Sequence, residues 1–80
     1  MMLHMEHLDR RHAIAAELRA EIGRQNISRS ALADAAGITV PTLRNRLEGK
    51  KPFVVDELLA LLALLGINLP AFLDRVEQNA

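Results

Sequence analysis

The sequence predicts an all-α protein built from five short helices. Leucine and alanine dominate a chain in which 50% of residues are apolar, yet only Phe53 and Phe72 are aromatic. That composition favours helix over sheet. Apolar residues recur at spacings of three and four rather than in alternation. Helix punctuation also returns along the chain: a polar capping residue, in two places a proline within the first turn, then a glycine or asparagine at the end.

The first helix is expected from about Leu8 to Gln25, with Leu8, Ala15, Leu18 and Ile22 on one stripe and Ile14 beside it. Residues 1–7, "MMLHMEH", read as an N-terminal arm or an extra helical turn, and residues 8–80 as one domain. Asn26 can take the left-handed conformation that ends a helix. Ser28 suits the N-cap of a second helix, about Arg29 to Ala36. Ile27 precedes it as a staple, and Ala31, Leu32 and Ala35 are expected on its inner side.

Thr39 caps the third helix, and Pro41 falls in its first turn, where a missing N–H costs no intrahelical bond. Leu43 and Leu47, one turn apart, face inward, and Gly49 ends the helix. Pro52 then biases Lys51 away from helix. The fourth helix, about Val55 to Leu65, carries Asp56 and Glu57 in its first turn, where negative charge suits the dipole. Asn68 caps a fifth, about Leu69 to Gln78, with Pro70 in its first turn. The fourth helix is apolar all round and must be covered on more than one side. Its surplus, with Leu69, Phe72, Leu73 and Val76 of the fifth, is expected to form a homodimer interface.

The longest apolar run, Leu58 to Ile67, is too short to span a bilayer, which takes about 20 residues. The opening residues lack the pattern of a signal peptide, and there is no cysteine. A soluble, cytoplasmic protein with no membrane partner is therefore expected. His4, His7 and His12 lack the further ligands and supporting shell that a metal site needs. Ser28, Ser30 and the carboxylates form no nucleophile, base and orienting set. The expectation is no catalysis, no metal, no cofactor and no small-molecule ligand.

Formal net charge is zero, but charge is unevenly placed. From Arg29 to Lys51 stand five basic residues (Arg29, Arg44, Arg46, Lys50, Lys51) against Asp34 and Glu48. From Pro52 onward four acids (Asp56, Glu57, Asp74, Glu77) face only Arg75. The basic excess is a local footprint for a polyanion. On a helical wheel, Pro41 and Asn45 lie opposite the Leu43–Leu47 stripe. Val40 and Arg44 form one flank, and Thr39, Thr42 and Arg46 the other.

Leu32-Ala33, Gly37-Ile38 and Leu43 together allow two short helices to meet across a tight turn. On this pattern, the stretch "ISRSALADAAGITVPTLRNRLEGKKPFVVDELLALLALLGINL" resembles the DNA-binding domain of the phage repressor and Cro (lambda repressor-like) helix-turn-helix family. The resemblance covers roughly residues 12 to 73, and the wording "LRNRLEGKKPF" is similar to actinobacterial and actinophage members. It implies a third helix, about 39–48, lying in the major groove with its N-terminal residues at the base edges. Val40, Pro41 and Asn45 would then meet bases, and Thr39 and Thr42 phosphate. Arg44 has the fork to grip guanine, Asn45 the donor and acceptor to match adenine, and Val40 the methyls to touch thymine.

The resemblance also places Arg29 where the family usually has a phosphate-clamping glutamine, and Lys50 and Lys51 where it often touches the backbone. Arg46 departs from a family position that is often apolar. It either extends to phosphate or pairs with an acid such as Asp56. The reading is a sequence-specific, homodimeric transcriptional regulator on a two-fold operator. A chain this short leaves no room for a separate cleavage domain, which favours a Cro-like regulator or minimal repressor. A restriction–modification controller, an antitoxin or a protein–protein adaptor would use the same fold.

Overall fold

The five helices are α1 (Met2–Gln25), α2 (Arg29–Ala36), α3 (Val40–Leu47), α4 (Val55–Leu65) and α5 (Leu69–Asn79). They come from a computed structural model that describes the backbone of residues 2–79 and the side chains of residues 10–78. Among the described residues there is no strand, so the all-α fold expected from composition is the one found. The choice between an arm and an extra turn concerns residues whose side chains lie outside those described. The backbone there is helical from Met2.

The expected capping chemistry sets the boundaries. Ser28 Oγ accepts the Ala31 N–H at 3.1 Å, and Asn68 Oδ1 accepts the Ala71 N–H at 2.8 Å. Asn26 ends α1 at φ 58°, and Gly37 and Gly66 end α2 and α4 at φ 71° and 74°. Val54 precedes α4 with no side-chain acceptor. Glu57 reaches back instead, its Oε1 accepting the Val54 N–H at 3.2 Å.

One core joins all five helices. Leu18, Leu32, Leu43, Leu47, Leu61 and Phe72 are the largest fully buried side chains, with Ile22, Leu62, Leu65 and Val76 around them. α1 contacts α3, α4 and α5, while α2 contacts α3 and α4. α5 leaves α4 at about 100°. This brings Phe72 and Val76 inward, 0% and 2% exposed. The interface expected of those two residues is therefore corrected, because the core of a single chain takes them first. Leu69 is half-buried and Leu73 exposed. On α2 the inward residues are Leu32 and Ala33, while Ala31 and Ala35 are exposed. The expectation therefore holds for Leu32, while Ala33 and half-buried Ala36 take the inward places expected of Ala31 and Ala35.

Ionic and polar contacts fasten α1 to the C-terminal helices. Arg24 and Arg75 both pair with Glu21, at 2.7 and 3.0 Å, and Arg24 also reaches Glu17 at 3.1 Å. Gln25 Nε2 donates to Glu21 Oε2 and to the carbonyl of Leu65, each at 2.7 Å. The hydrogen bond from Gln25, then that from Arg24, hold the Glu21 carboxyl below its ordinary pKa against the opposing effect of burial. Among the described residues no single helix is long and apolar enough to cross a membrane.

Candidate nucleic-acid interface

The turn between α2 and α3 is short because Gly37 can adopt a positive φ. Its N–H bonds the Asp34 carbonyl, and the Ile38 N–H bonds that of Ala33. Leu32 and Ala33 of α2, and Leu43 and Leu47 of α3, are buried. α3 is anchored chiefly by Leu43 and Leu47, and the side away from them is turned outward. Pro41, Arg44 and Asn45 are exposed, and Val40 and Thr42 are half-buried. The wheel therefore placed the open side correctly.

Thr39 and Thr42 are engaged with each other. Thr39 Oγ1 accepts the Thr42 N–H at 3.3 Å and donates to Thr42 Oγ1 at 2.9 Å. The N-cap therefore uses part of the hydroxyl capacity that a phosphate contact would draw on.

Arg46 does not extend outward to a phosphate. Its Nε lies 3.1 Å from Glu57 Oε1 and its Nη2 3.4 Å from Oε2. The two side chains are 17% and 12% exposed, so the pair is largely shielded from water. This corrects the phosphate expectation for Arg46 and names Glu57, not Asp56, as its acid. Glu57 is held in place by its bond to the Val54 N–H, which turns the carboxylate toward α3. Its pKa is lowered first by the hydrogen bond from Arg46, with help from Val54 N–H and against burial.

Lys50 sits 3.1 Å from Glu48, but both are exposed and such a pair is weak and readily exchanged. Arg29, Arg44, Asn45 and Lys51 are exposed, with no side-chain partner among the described residues. Arg29 and Arg44 line one cleft of about 350 Å³, together with Val40, Glu48 and Arg19. Three guanidinium groups thus border the meeting point of α1, α2 and α3. The free N–H groups at the start of α2 add a favourable dipole there.

Two contributors act through contacts distant in sequence. Arg19 donates from Nη1 to the carbonyl of Leu47, the last residue of α3. It thereby ties the exit of α3 to α1, 28 residues earlier in the chain. Gly49, buried at φ 78°, lies so close to His12 that a Cβ there would come within 2.6 Å of the ring. Gly49 marked a helix end in the sequence, but its partner was invisible. His4 and His7 lie outside the residues whose side chains are described. Among the described residues no three His, Cys, Asp or Glu side chains are grouped to hold a metal ion.

Residues 17–72, well over half the chain, match the family described as helix-turn-helix. No curated protein and no solved structure matches.

Proposed function

The chain belongs to the helix-turn-helix family, of the lambda repressor-like type that binds double-stranded DNA, and from that premise we propose that it is a sequence-specific regulator of the Cro-like or minimal repressor kind, acting as a homodimer on a two-fold operator. The observation that carries this reading is the outward surface of α3 and its margins. Arg29, Arg44, Asn45 and Lys51 are exposed and without side-chain partners among the described residues, on elements anchored from behind by Leu43 and Leu47.

In this reading α3 enters the major groove. Asn45 offers an amide donor and acceptor to adenine, Arg44 a fork to guanine, and Val40 and Pro41 apolar contact at the base edges. Arg29 and Lys51 hold phosphates on either side, with Lys50 joining when it leaves Glu48 and the Thr39–Thr42 pair contributing through the hydroxyl capacity left over. Arg46 takes the different task of bracing α3 against α4. A second subunit would cover the apolar side chains that the fold leaves open at the C-terminal end, Leu64 and Leu73, which are each 42% exposed, together with half-buried Leu69. Two copies would then present their α3 helices about 34 Å apart, one turn of DNA.

Selection from a randomised DNA pool tests the reading. The expected product is an inverted repeat bound by two chains, with affinity that falls steeply as salt rises. Equal affinity for every sequence, or no binding at low salt, overturns it.

A further inference from the structure

A second cleft, of about 290 Å³, opens on another part of the surface where α1, the α3–α4 loop and α4 meet. Its volume is near the lower end of small-molecule sites, roughly 300–1,000 Å³. Four cations border it: Arg10, Arg11, Arg46 and Lys51. Its remaining walls are apolar: Ile14, Pro52, Phe53 and Leu58. Phe53, Ile14 and Leu58 are only partly buried and pack against the core, so they offer a firm apolar floor.

The acids nearby leave this charge incompletely matched. Arg46 is held by Glu57, and Arg10 pairs with Glu77 at 2.8 Å with both partners more than half exposed. Arg11 and Lys51 have no side-chain partner among the described residues. A phosphodiester backbone would use the cations but has no need of an apolar floor. A purely apolar ligand would use the floor and leave the cations idle. We propose that this cleft binds a small amphipathic organic anion, a carboxylate on a short aliphatic body, with the carboxylate between Arg11 and Lys51 and the body on Phe53, Ile14 and Leu58.

The site stands without the DNA reading, but one consequence rests on it. Lys51 belongs both to this cleft and to the proposed phosphate contacts. An anion that occupies Lys51 therefore competes with DNA for it, and occupancy weakens the DNA complex.

Octanoate is the probe, with acetate as the anion lacking a body and 1-octanol as the body lacking a charge. Titrations of the intact protein are followed by amide and methyl chemical shifts. Octanoate should bind saturably, with shifts centred on residues 10–14 and 51–58, and both controls should bind at least tenfold more weakly. Removing a charge-assisted contact by Arg11→Ala or Lys51→Ala should weaken octanoate roughly tenfold. Lys51 is exposed and Arg11 half-buried, and an unchanged thermal transition confirms that each variant folds. No saturable shift, octanol equal to octanoate, or acetate equal to octanoate each overturns the proposal. So does Arg11→Ala with unchanged octanoate affinity; if that variant instead flattens the salt dependence of DNA binding, the cleft belongs to the DNA contact surface. Octanoate binding in a protein that fails to bind DNA would sink the DNA reading and leave the site intact.

Discussion

Helices α3 and α5 begin in the same way. Each follows a polar cap, Thr39 or Asn68, and each has proline at its second position, Pro41 or Pro70. Both bury two large side chains, Leu43 and Leu47 in α3, Phe72 and Val76 in α5. The two helices differ in what the rest of each carries. On α3 the open side holds Arg44 and Asn45 without partners among the described residues. On α5, Arg75 and Glu77 are both paired back to α1. The buried pair anchors a helix, and the outward side, left open or tied down, decides what else the helix can do. On this view, damage to an anchor should cost stability, and damage to the open side of α3 should cost recognition alone.

The largest effect is expected at Phe72. The side chain is 0% exposed, and truncation of a buried phenylalanine costs about 3–5 kcal/mol. Phe72→Ala should lower the denaturant midpoint drastically or prevent folding. Leu73→Ala, one position on and 42% exposed, should lower it far less, through the dimer contact alone. If the two variants lost equal stability, the division between anchor and open side would fail on α5. A strictly monomeric protein in sedimentation, free and on DNA, would remove the proposed role of Leu73 in a dimer.

On α3 the comparison is sharpened at Asn45. Loss of a bidentate base contact costs about 1–3 kcal/mol, from severalfold to more than a hundredfold in affinity. Asn45→Ala should keep the parent melting temperature and its affinity for random DNA, while losing discrimination at one base pair in each half-site. Selection on randomised half-sites with an unchanged preference at every position would shift the readout to Val40, Pro41 and Arg44.

Gly49 tests how the exit of α3 is held. A side chain at φ 78° costs roughly 1–2 kcal/mol, and here it would also meet the His12 ring. Gly49→Ala should therefore destabilise the fold. His12→Ala in the same background should restore the part due to contact and leave the part due to backbone. A double variant no more stable than Gly49→Ala would show that the ring yields freely.

These cases also mark how much the sequence disclosed. The α2 and α3 boundaries and the end of α4 follow from capping residues and glycines within a few positions of them, and such local chemistry is readable in one dimension. The outward set Pro41, Arg44 and Asn45 is equally local, because Leu43 and Leu47 fix the wheel. Apart from the inner face of α2, where Ala33 rather than Ala31 and Ala35 is buried, what escaped depends on contacts distant in sequence. Arg19 meets Leu47, His12 meets Gly49, and Phe72 is buried on a helix that leaves α4 at about 100°. Arg46 was an open choice for the same reason. Its acid lies 11 residues ahead, on a different helix.

Acid should weaken the brace behind α3. The Glu57 carboxyl is depressed, chiefly by Arg46, so its stabilising contribution is complete above the ordinary carboxylate pKa, about 4.3, and is lost as pH falls through the lower folded value. Glu21 acts in the same direction through Gln25 and Arg24. The melting temperature should fall on acidification below that range, and Glu57→Gln should fall less steeply because one of the two groups is gone. An identical slope in parent and variant would mean that Glu57 adds nothing to acid sensitivity.

The smallest effect is expected in the loop, where neighbouring lysines differ only in their partners. Lys50 lies 3.1 Å from Glu48, whereas Lys51 has no side-chain partner among the described residues. A phosphate contact contributes about −0.9 to the slope of log affinity against log salt on duplex DNA. Lys51→Ala should flatten that slope by roughly one unit for each subunit that loses its contact, and weaken specific and random DNA alike. Lys50→Ala should flatten it less, because in the parent some of that lysine's charge is already matched by Glu48. Glu48→Gln supplies the check. It frees Lys50 without touching Lys51, so it should steepen the slope slightly and raise affinity for any sequence. Slopes measured over the same salt series for all three variants decide the point. If Lys50→Ala and Lys51→Ala were indistinguishable, pairing in the free protein would not govern which loop lysine meets DNA, and the contrast between tied and open side chains would hold for helices but not for this loop.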